Sequence, residues 1–345
     1  MGLLADWQQQ QTLLLLWPYR DDVWRLQGRP AQQQLRQLVQ LAAPYCNILV
    51  GCHPTQLEYA RTQLPATVEL LALNYDDAWA RDITPLYTAP QWGGSEQLFA
   101  HGFQFTAWHG LYPDFQQDQA FAKQLARRLC QRFIAHDLVL EGGAITTDGG
   151  GTAIVHQASV QRNNPQWTLV AIEAYLKQQL QLQQIVWLRW ANPLDETGGH
   201  VDNHAQFIAP DTLVTSLPQP SSPWYQHYAA QLEQLRQLTN VCGEPYHILV
   251  LPQPAAIVPE PDEFASIRRQ PGVKVRGTTP LLASYVNLVN LTQCMLVPQF
   301  GLPSDAEALQ IMQQWAGKRP VLAAAADEFI KAGGGLHCMT ATIPT

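Results

Sequence analysis

Apolar residues recur at helical spacing in five segments of the chain. In the clearest of these, Phe121, Leu125, Leu129 and Phe133 repeat every four residues. This spacing places apolar side chains on one face and predicts an amphipathic helix. The five predicted helices cover residues 32–43, 121–133, 169–180, 225–235 and a segment that begins at Ser304, where Ser304 and Glu307 form a capping-box signature.

Short apolar runs between these helices have the length of buried strands. They cover Thr12–Trp17, Ile48–Val50, Ile185–Trp190, His247–Leu251 and Met295–Val297. The longer segment from Leu138 to Val155 carries the turn residues Asp148-Gly149-Gly150 at its centre and predicts a hairpin. A unit of strand, hairpin and helix therefore repeats along the chain, which predicts an α/β fold.

The polar motifs follow the same repeat. Asp82, Glu141 and His200 are separated by 59 residues each, and Cys338 follows His200 by 138, which is two steps of 69. A regular spacing places similar positions of successive units around one axis. Five units of roughly 60–70 residues would use the whole chain and close a ring. The alternative is chance spacing in an ordinary α/β sheet. No low-complexity linker divides the sequence, so a single domain over residues 1–345 is expected.

Composition and charge narrow the class of protein. Hydrophobic residues make up 46% and charged residues 14%, an ordinary globular composition. The net charge of -7 argues against nucleic acid as a partner. No apolar run approaches the roughly 20 residues that cross a bilayer, and no basic residue precedes Arg20 as in a secretory signal. We therefore expect a cytoplasmic protein without a membrane partner; the sequence does not decide whether it forms a homo-oligomer.

Six cysteines are scattered without a Cys-x-x-Cys pair, which predicts buried thiols rather than disulfides. Cys338 differs because it follows the run Gly333-Gly334-Gly335-Leu336-His337. Glycines such as Gly335 permit a close approach of backbone to a ligand or to a neighbouring chain, and a Cys after such a turn is a candidate nucleophile. The alternative is a buried Cys on the final strand.

A second polar motif runs from Glu196 to His204. In an extended strand, His200 and Asp202 point to the same face and could share a pocket. The competing interpretation is a zinc site on one helix face, because His200 and His204 lie four residues apart. The glycines that precede His200 favour the strand.

Two further motifs carry carboxylates. Trp79 and Asp82 offer an aromatic face and a carboxylate three residues apart, and Glu141 ends an apolar strand before Gly142-Gly143. Each has an ordinary alternative, a salt bridge beside a buried Trp in the first motif and a turn residue in the second.

Together these residues suit a small cationic guanidino substrate. A guanidinium is planar, charged and forked, so Asp82 and Asp202 could hold it and Trp79 could add a cation–π contact. Its central carbon is a poor electrophile and needs a thiolate, which a nearby cation favours. His200 would protonate the leaving ammonia and then activate water, while Glu141 could orient His200.

Several ordered motifs resemble those of the agmatine deiminase and bacterial peptidylarginine deiminase family, from about residue 12 to the C-terminus. The matching motifs are Trp79-x-Arg81-Asp82-x-x-Pro85, Glu141-Gly142-Gly143, Gly199-His200-x-Asp202-Asn203, Ala283-Ser284-Tyr285-x-Asn287, Val297-Pro298-Gln299-Phe300-Gly301 and Gly335-x-His337-Cys338-x-Thr340. The resemblance implies the pentein fold, a five-bladed α/β propeller with pseudo-fivefold symmetry and its active site on the axis. It also implies a covalent amidino-cysteine intermediate and no metal or organic cofactor. The family roles fall on Cys338, His200, Asp82, Asp202, Glu141 and Trp79.

The implied reaction is hydrolysis of agmatine to N-carbamoylputrescine and ammonia, a step toward putrescine. The alternatives are deimination of free or peptidyl arginine, and a zinc-binding or non-catalytic propeller. This chain departs from the family pattern at Gly198, at Ala144 and before His337, where it is one residue shorter and has no Asn; these changes affect the expected contacts of the substrate's tail. The matching family position of Glu196 is acidic, so Glu196 is expected to pair with the terminal ammonium of agmatine in a pocket without basic residues.

Overall fold

The computed structural model describes residues 2–8, 11–89 and 98–344. Within these ranges the strands form five sheets. In chain order the strands are β1 (Gln11–Leu16), β2 (Asn47–Cys52), β3 (Glu69–Ala72), β4 (Leu86–Thr88), β5 (Phe99–Gln104), β6 (Arg132–Val139), β7 (Ile145–Thr147), β8 (Thr152–His156), β9 (Gln184–Leu188), β10 (Ala205–Ala209), β11 (Thr212–Leu217), β12 (His247–Pro252), β13 (Val289–Asn290), β14 (Met295–Gln299), β15 (Val321–Ala325) and β16 (Thr340–Pro344).

Each sheet repeats one topology. Its first strand pairs antiparallel with the second, and the second pairs parallel with the third. The sheets are β16-β1-β2-β3, β4-β5-β6, β7-β8-β9, β10-β11-β12 and β13-β14-β15. A parallel pair needs a crossover, and each sheet has a helical crossover between its second and third strands. This is the five-bladed α/β propeller that the resemblance implied.

The two ends of the chain close the propeller. β16 lies antiparallel to β1, so that Thr340 pairs with Leu15 and Pro344 with Gln11. β1 also pairs in parallel with β2, and its four leucines, Leu13 to Leu16, are fully buried. A strand covered on both faces reads as a continuous apolar run, which is the pattern seen in the sequence.

The described residues contain ten α-helices. They are α1 (Arg29–Ala42), α2 (Leu57–Gln63), α3 (Ala80–Ile83), α4 (Ala107–Gly110), α5 (Gln116–Arg128), α6 (Gln157–Asn163), α7 (Leu169–Gln179), α8 (Tyr225–Arg236), α9 (Asp305–Ala316) and α10 (Asp327–Lys331). The five predicted helices are α1, α5, α7, α8 and α9. None of the described helices combines the length and the apolar character needed to cross a bilayer.

One predicted helix boundary and one predicted capping bond were wrong. α5 ends at Arg128, because Cys130 adopts a left-handed conformation (φ 55°) that turns the chain into β6, so Phe133 belongs to a strand. Ser304 does stand at the N-cap of α9, but its side chain makes no capping bond there. Its hydroxyl instead forms a hydrogen bond with the Tyr285 hydroxyl at 2.8 Å.

The predicted hairpin is shorter than expected. β7 and β8 flank the turn at Asp148, and the Asp148 carboxylate accepts from the backbone N–H groups of Gly150 and Thr152 at 2.8 and 2.9 Å. Leu138 lies in β6, the last strand of the preceding blade. The apolar run continues from one blade into the next, so the sequence pattern could not mark the boundary between them.

Candidate active site

The candidate catalytic residues occupy equivalent places in successive blades, in the short turns that precede the first strands. Asp82 lies in α3 before β4, and Glu141 immediately precedes the 3₁₀ turn Gly142–Ala144 before β7. His200 and Asp202 lie at the turn before β10, and Cys338 lies before β16. The equal spacing of Asp82, Glu141 and His200 therefore follows from the blade repeat.

Asn287 occupies the equivalent turn of the remaining blade, before β13. It follows His200 by 87 residues and precedes Cys338 by 51, so the expected division of this stretch into two steps of 69 was wrong. The additional residues form a long connection between β12 and β13 that carries Lys274 and Arg276. Asn287 donates from Nδ2 to Sγ of Cys338 at 3.3 Å.

Gly143 marks the point where the candidate catalytic side chains meet. A Cβ atom at this glycine would lie 2.5 Å from Nδ1 of His200, 2.9 Å from Oδ1 of Asp82 and 3.1 Å from Oδ2 of Asp202. Any side chain would therefore displace the three groups. Asp82 and His200 are 118 positions apart in the sequence, and the fold brings them to one buried point.

Cys338 lies at the same centre and is almost fully buried. Its Sγ is 3.7 Å from Oδ2 of Asp202. Burial, together with the negative charges of Asp202 and Asp82, raises the pKa of the Cys338 thiol well above its usual value. The thiol is therefore protonated at neutral pH until a cation enters between the carboxylates, which is the condition that favours a thiolate.

His200 is enclosed by carboxylates. Its Nδ1 lies 3.7 Å from Oδ1 of Asp82, and its Nε2 lies 3.9 Å from Oε2 of Glu141. Burial alone would lower the pKa of His200, but the charges of Asp82, Glu141 and Asp202 outweigh it and raise the pKa to about 10. Within the described part of the chain, neither ring nitrogen has a hydrogen-bond partner. The ring is thus a charged proton donor without a fixed acceptor.

The local structure around His200 is a turn and not the predicted strand. His200 precedes the 3₁₀ turn Val201–Asn203, which contains Asp202. Oδ2 of Asp195 accepts from the His200 backbone N–H at 3.0 Å and from Nδ2 of Asn203 at 3.1 Å. The Asp195 carboxylate therefore fixes the turn, and the turn rather than strand alternation directs both side chains to the centre.

The zinc alternative pairs residues that belong to different environments. His204 is fully buried, and its Nε2 accepts from the backbone N–H of Asn192 at 3.3 Å. Burial and the neighbouring His156 lower the pKa of His204 to about 4. In the ranges that the structure describes, no group of three or more His, Cys, Asp or Glu side chains could hold a metal ion.

Asp82 is fixed from both sides. Its Oδ1 accepts from the Gly143 N–H and its Oδ2 from Nε1 of Trp108, both at 2.9 Å. Burial raises the pKa of Asp82 to about 6, because it outweighs the charge of His200, which lowers the pKa. Trp108 adopts a left-handed conformation (φ 50°), as do both its neighbours, a strained backbone of the kind found at functional sites.

Trp79 is buried beside this centre. Its Nε1 donates to Oδ2 of Asp77 at 2.9 Å, and its ring packs on Trp24 and Trp108. Gly334 lies against the Trp79 ring, and Gly335 lies so close to the Asn287 side chain that a Cβ atom would clash. The glycine run before Cys338 therefore permits close approach to neighbouring side chains.

Glu196 is not a free carboxylate. Its Oε1 lies 2.9 Å from Nζ of Lys274, and its Oε2 lies 2.5 Å from Nη1 of Arg276. The group borders the glycine run, because a Cβ atom at Gly333 would contact both Glu196 and Arg276. The expectation that basic residues would be absent beside Glu196 was wrong, since the long connection before β13 supplies two of them.

Several side chains at the site received no role from the sequence. They are Asp6, Trp108, Asn163, Asp195, Asn287 and His337. Asn163 donates from Nδ2 to Oε1 of Glu141 at 3.0 Å. Asn287 and His337 belong to motifs that resemble those of the family, so the sequence could have marked them as site residues. Asp6 and Trp108 had no such signal, because their partners are distant in sequence.

The fold and the centre together define a class of protein. A five-bladed α/β propeller that gathers a cysteine, a histidine and three carboxylates at one buried point is an enzyme of the cysteine-dependent, guanidine-modifying class. Within that class, the chain belongs to the Porphyromonas-type peptidyl-arginine deiminase family, whose sequence profile matches residues 2–344.

Individual relatives cover nearly the whole chain. An agmatine deiminase of Pseudomonas fluorescens is 31% identical over 350 residues, covering 99% of this chain and 94% of the relative. An agmatine deiminase of Pseudomonas putida has the same identity and coverage. Among solved structures, the agmatine deiminase of Enterococcus faecalis superposes with a TM-score of 0.94 at 25% identity, covering 99% of this chain and 95% of that one.

Proposed function

We propose that this chain is an agmatine deiminase that hydrolyses agmatine to N-carbamoylputrescine and ammonia. The observation that carries the proposal is the convergence of His200, Asp82 and Asp202 at Gly143, with Cys338 3.7 Å from Asp202. Relatives at 31% identity named agmatine deiminase support the choice of substrate. A cytoplasmic location and a single domain over residues 1–345, both expected from the sequence, form part of the proposal.

The geometry supports a two-stage reaction. The guanidinium lies between Asp82 and Asp202, and its positive charge stabilises the Cys338 thiolate as the thiol proton is released to solvent. The thiolate attacks the central carbon and forms a C–S bond. His200 gives its proton to the departing nitrogen, the C–N bond breaks and ammonia leaves, so that the substrate remains as an amidino-thioether on Cys338.

The second stage returns the enzyme to its starting state. Water adds to the amidino carbon and its proton passes to His200, which had become neutral in the first stage. Collapse of the tetrahedral intermediate breaks the C–S bond, passes the remaining hydroxyl proton to sulfur, releases the carbamoyl product and leaves the thiol on Cys338. Glu141 stays 3.9 Å from His200 and stabilises the imidazolium each time it forms.

The direct test measures ammonia release from agmatine, free arginine and a peptide that contains arginine. The highest kcat/KM is expected for agmatine. A preference for arginine would overturn the agmatine assignment, and no release from any guanidino compound would overturn the assignment as a hydrolase. Metal analysis of the purified protein in the same experiment tests the zinc-binding alternative.

A second candidate substrate has one observation in its favour. Lys274 and Arg276 both contact Glu196, so the three side chains together carry a net charge of about +1. A carboxylate tail, as in free arginine, could bind these cations, whereas an ammonium tail must share Glu196 with them. Deimination of a guanidino acid is therefore the alternative.

We predict that Glu196→Gln separates recognition of the tail from chemistry. If Glu196 holds the terminal ammonium, the variant should lower kcat/KM for agmatine by roughly tenfold to a few hundredfold. It should leave a simple alkylguanidine nearly unchanged, because that substrate has no ammonium. Equal losses on the two substrates would mean that Glu196 supports the fold or His200.

Lys274→Met is the matched variant for this experiment. It removes a cation that competes for Glu196, so kcat/KM should rise for agmatine and fall for arginine. A fall for agmatine together with no change for arginine would contradict the proposed contact between Glu196 and the substrate's ammonium.

The pH dependence should reflect Asp82 and His200. Asp82 binds the cation only as an anion, so kcat/KM should fall as the pH drops below about 6. His200 donates only when protonated, so kcat/KM should fall again above about 10. The measurement is kcat/KM between pH 4.5 and 10.5. An unchanged kcat/KM down to about pH 4.5 would show that the pKa of Asp82 is not raised above the ordinary range of a carboxyl group.

A further inference from the structure

The segment before β1 reaches the catalytic centre through Asp6. Its carboxylate accepts from Nη1 and Nη2 of Arg81 at 3.0 and 2.9 Å and from the Thr342 hydroxyl at 2.9 Å. Its Oδ2 also lies 2.9 Å from Nε2 of His337. One carboxylate therefore joins the N-terminal segment, α3 and β16 to the residue that precedes the nucleophile.

His337 is held between two carboxylates. Its Nδ1 lies 2.8 Å from Oδ2 of Asp202, and its Nε2 lies 2.9 Å from Oδ2 of Asp6. An ionised carboxylate only accepts hydrogen bonds, so both ring nitrogens must donate and the ring must be a charged imidazolium. The side chain is 4% exposed, so the surrounding protein, and not water, sets its charge.

This arrangement fixes how Asp202 faces the substrate. Oδ2 of Asp202 is bound by His337, while Oδ1 is buried and has no hydrogen-bond partner among the described residues. An oxygen of this kind is available to an N–H group of a guanidinium. Oδ2 of Asp202 also lies 3.7 Å from Sγ of Cys338.

We propose that Asp6 is a positioning residue for deimination and acts through His337. Its carboxylate keeps a proton on Nε2 of His337, while Nδ1 of His337 donates to Asp202 and holds it oriented before the substrate arrives. Asp6 is suited to this role because Arg81 and His337, acting against burial, lower its pKa and keep it ionised. The proposal rests on the proposed function, since Asp202 is the group assigned to hold the guanidinium.

The charged groups around His337 come from each element packed against it. Asp6 comes from the N-terminal segment, Asp202 from the turn before β10 and Cys338 from its own turn, while Arg81 of α3 acts through Asp6. Of these, Asp6 contacts His337 directly, and its charge can be removed without changing the assigned catalytic residues.

The test compares Asp6→Asn, Asp6→Glu and Thr342→Val with the unmodified enzyme at several pH values. In Asp6→Asn the amide can accept or donate at Nε2 of His337, so the ring is no longer required to carry both protons at the higher pH. The ratio of kcat/KM in the unmodified enzyme to kcat/KM in Asp6→Asn should therefore increase by at least about tenfold between pH 6 and pH 8.5. Asp6→Glu should restore a ratio that does not depend on pH.

Thr342→Val is the matched control. It removes one hydrogen bond to the same carboxylate but keeps the charge, so its ratio to the unmodified enzyme should not change with pH. A loss in Asp6→Asn that is equal at all pH values, or a loss in Thr342→Val with the same pH dependence, would overturn the proposal. Either outcome would indicate that Asp6 only supports the fold.

A measurement on the unmodified protein covers the case in which Asp6→Asn does not fold. With ¹⁵N-labelled histidine, NMR at pH 8 should detect a charged imidazolium that is absent from His337→Gln, in addition to His200. A neutral His337 would overturn the proposal. This readout needs no turnover, so failure of the proposed function, seen as no ammonia release from any guanidine, is distinguishable from failure of the role of Asp6.

Discussion

The Cys338→Ser variant is expected to lose turnover by a factor on the order of 10⁴ or more, comparable to removal of the nucleophile from other enzymes with covalent intermediates. A serine hydroxyl is far less acidic than a thiol, and between Asp82 and Asp202 it has no group to remove its proton, because His200 is itself protonated. Ammonia release under saturating agmatine measures the loss.

The unmodified enzyme provides the complementary result. Enzyme mixed with agmatine and quenched in acid should carry an adduct with the mass of the substrate less ammonia on the peptide that contains Cys338. Cys130→Ser and Cys242→Ser, which change exposed cysteines, are the controls and should retain full activity. Substantial turnover in Cys338→Ser would rule out covalent catalysis by this residue.

The His200→Ala variant is expected to lose kcat by about 10²–10⁴-fold while KM changes little. In the proposed mechanism the imidazolium transfers protons in the transition state and makes its main contribution there, whereas Asp82 and Asp202 hold the guanidinium in the ground state. Asp82→Ala and Asp202→Ala should therefore raise KM as well as lower kcat. Steady-state kinetics with agmatine separates the two effects.

His204→Ala tests whether the effect is specific to His200. This side chain is also a buried imidazole, but it contacts Asn192 and lies outside the catalytic centre. It should lower the thermal midpoint without the same loss in kcat. If His200→Ala raised only KM, the assignment of His200 as proton donor would be wrong. If His204→Ala lost both bound metal and activity, the zinc alternative would be favoured.

The order of the blades could be predicted because it depends on local patterns. Helical spacing of apolar residues placed α1, α5, α7, α8 and α9, and the equal spacing of Asp82, Glu141 and His200 reflected equivalent turns in successive blades. The resemblance supplied the propeller and the catalytic roles. The spacing also gave one wrong prediction, that two equal steps separate His200 from Cys338. The unit that contains Asn287 includes the long connection before β13, so the two steps are unequal.

The turn at His200 shows a different limit of prediction from sequence patterns. Strand alternation and a 3₁₀ turn both bring His200 and Asp202 to one side, so the expected convergence was right although the expected backbone was wrong. What distinguishes the two conformations is the Asp195 carboxylate, which accepts from the His200 N–H. Such side-chain bonds to the backbone compete with strand formation and are not visible as periodicity.

Neighbouring residues alone specify the residue types that carry chemistry, the apolar faces of the main helices and the repeated unit. The pairing of charges, in contrast, depends on how the folded chain brings distant segments together. Closure of β16 on β1 brings Asp6 to His337 across 331 positions, and the connection before β13 brings Arg276 to Glu196 across 80. Electrostatic pairing depends on distances of a few ångströms in space, so partners this far apart along the chain leave no local pattern.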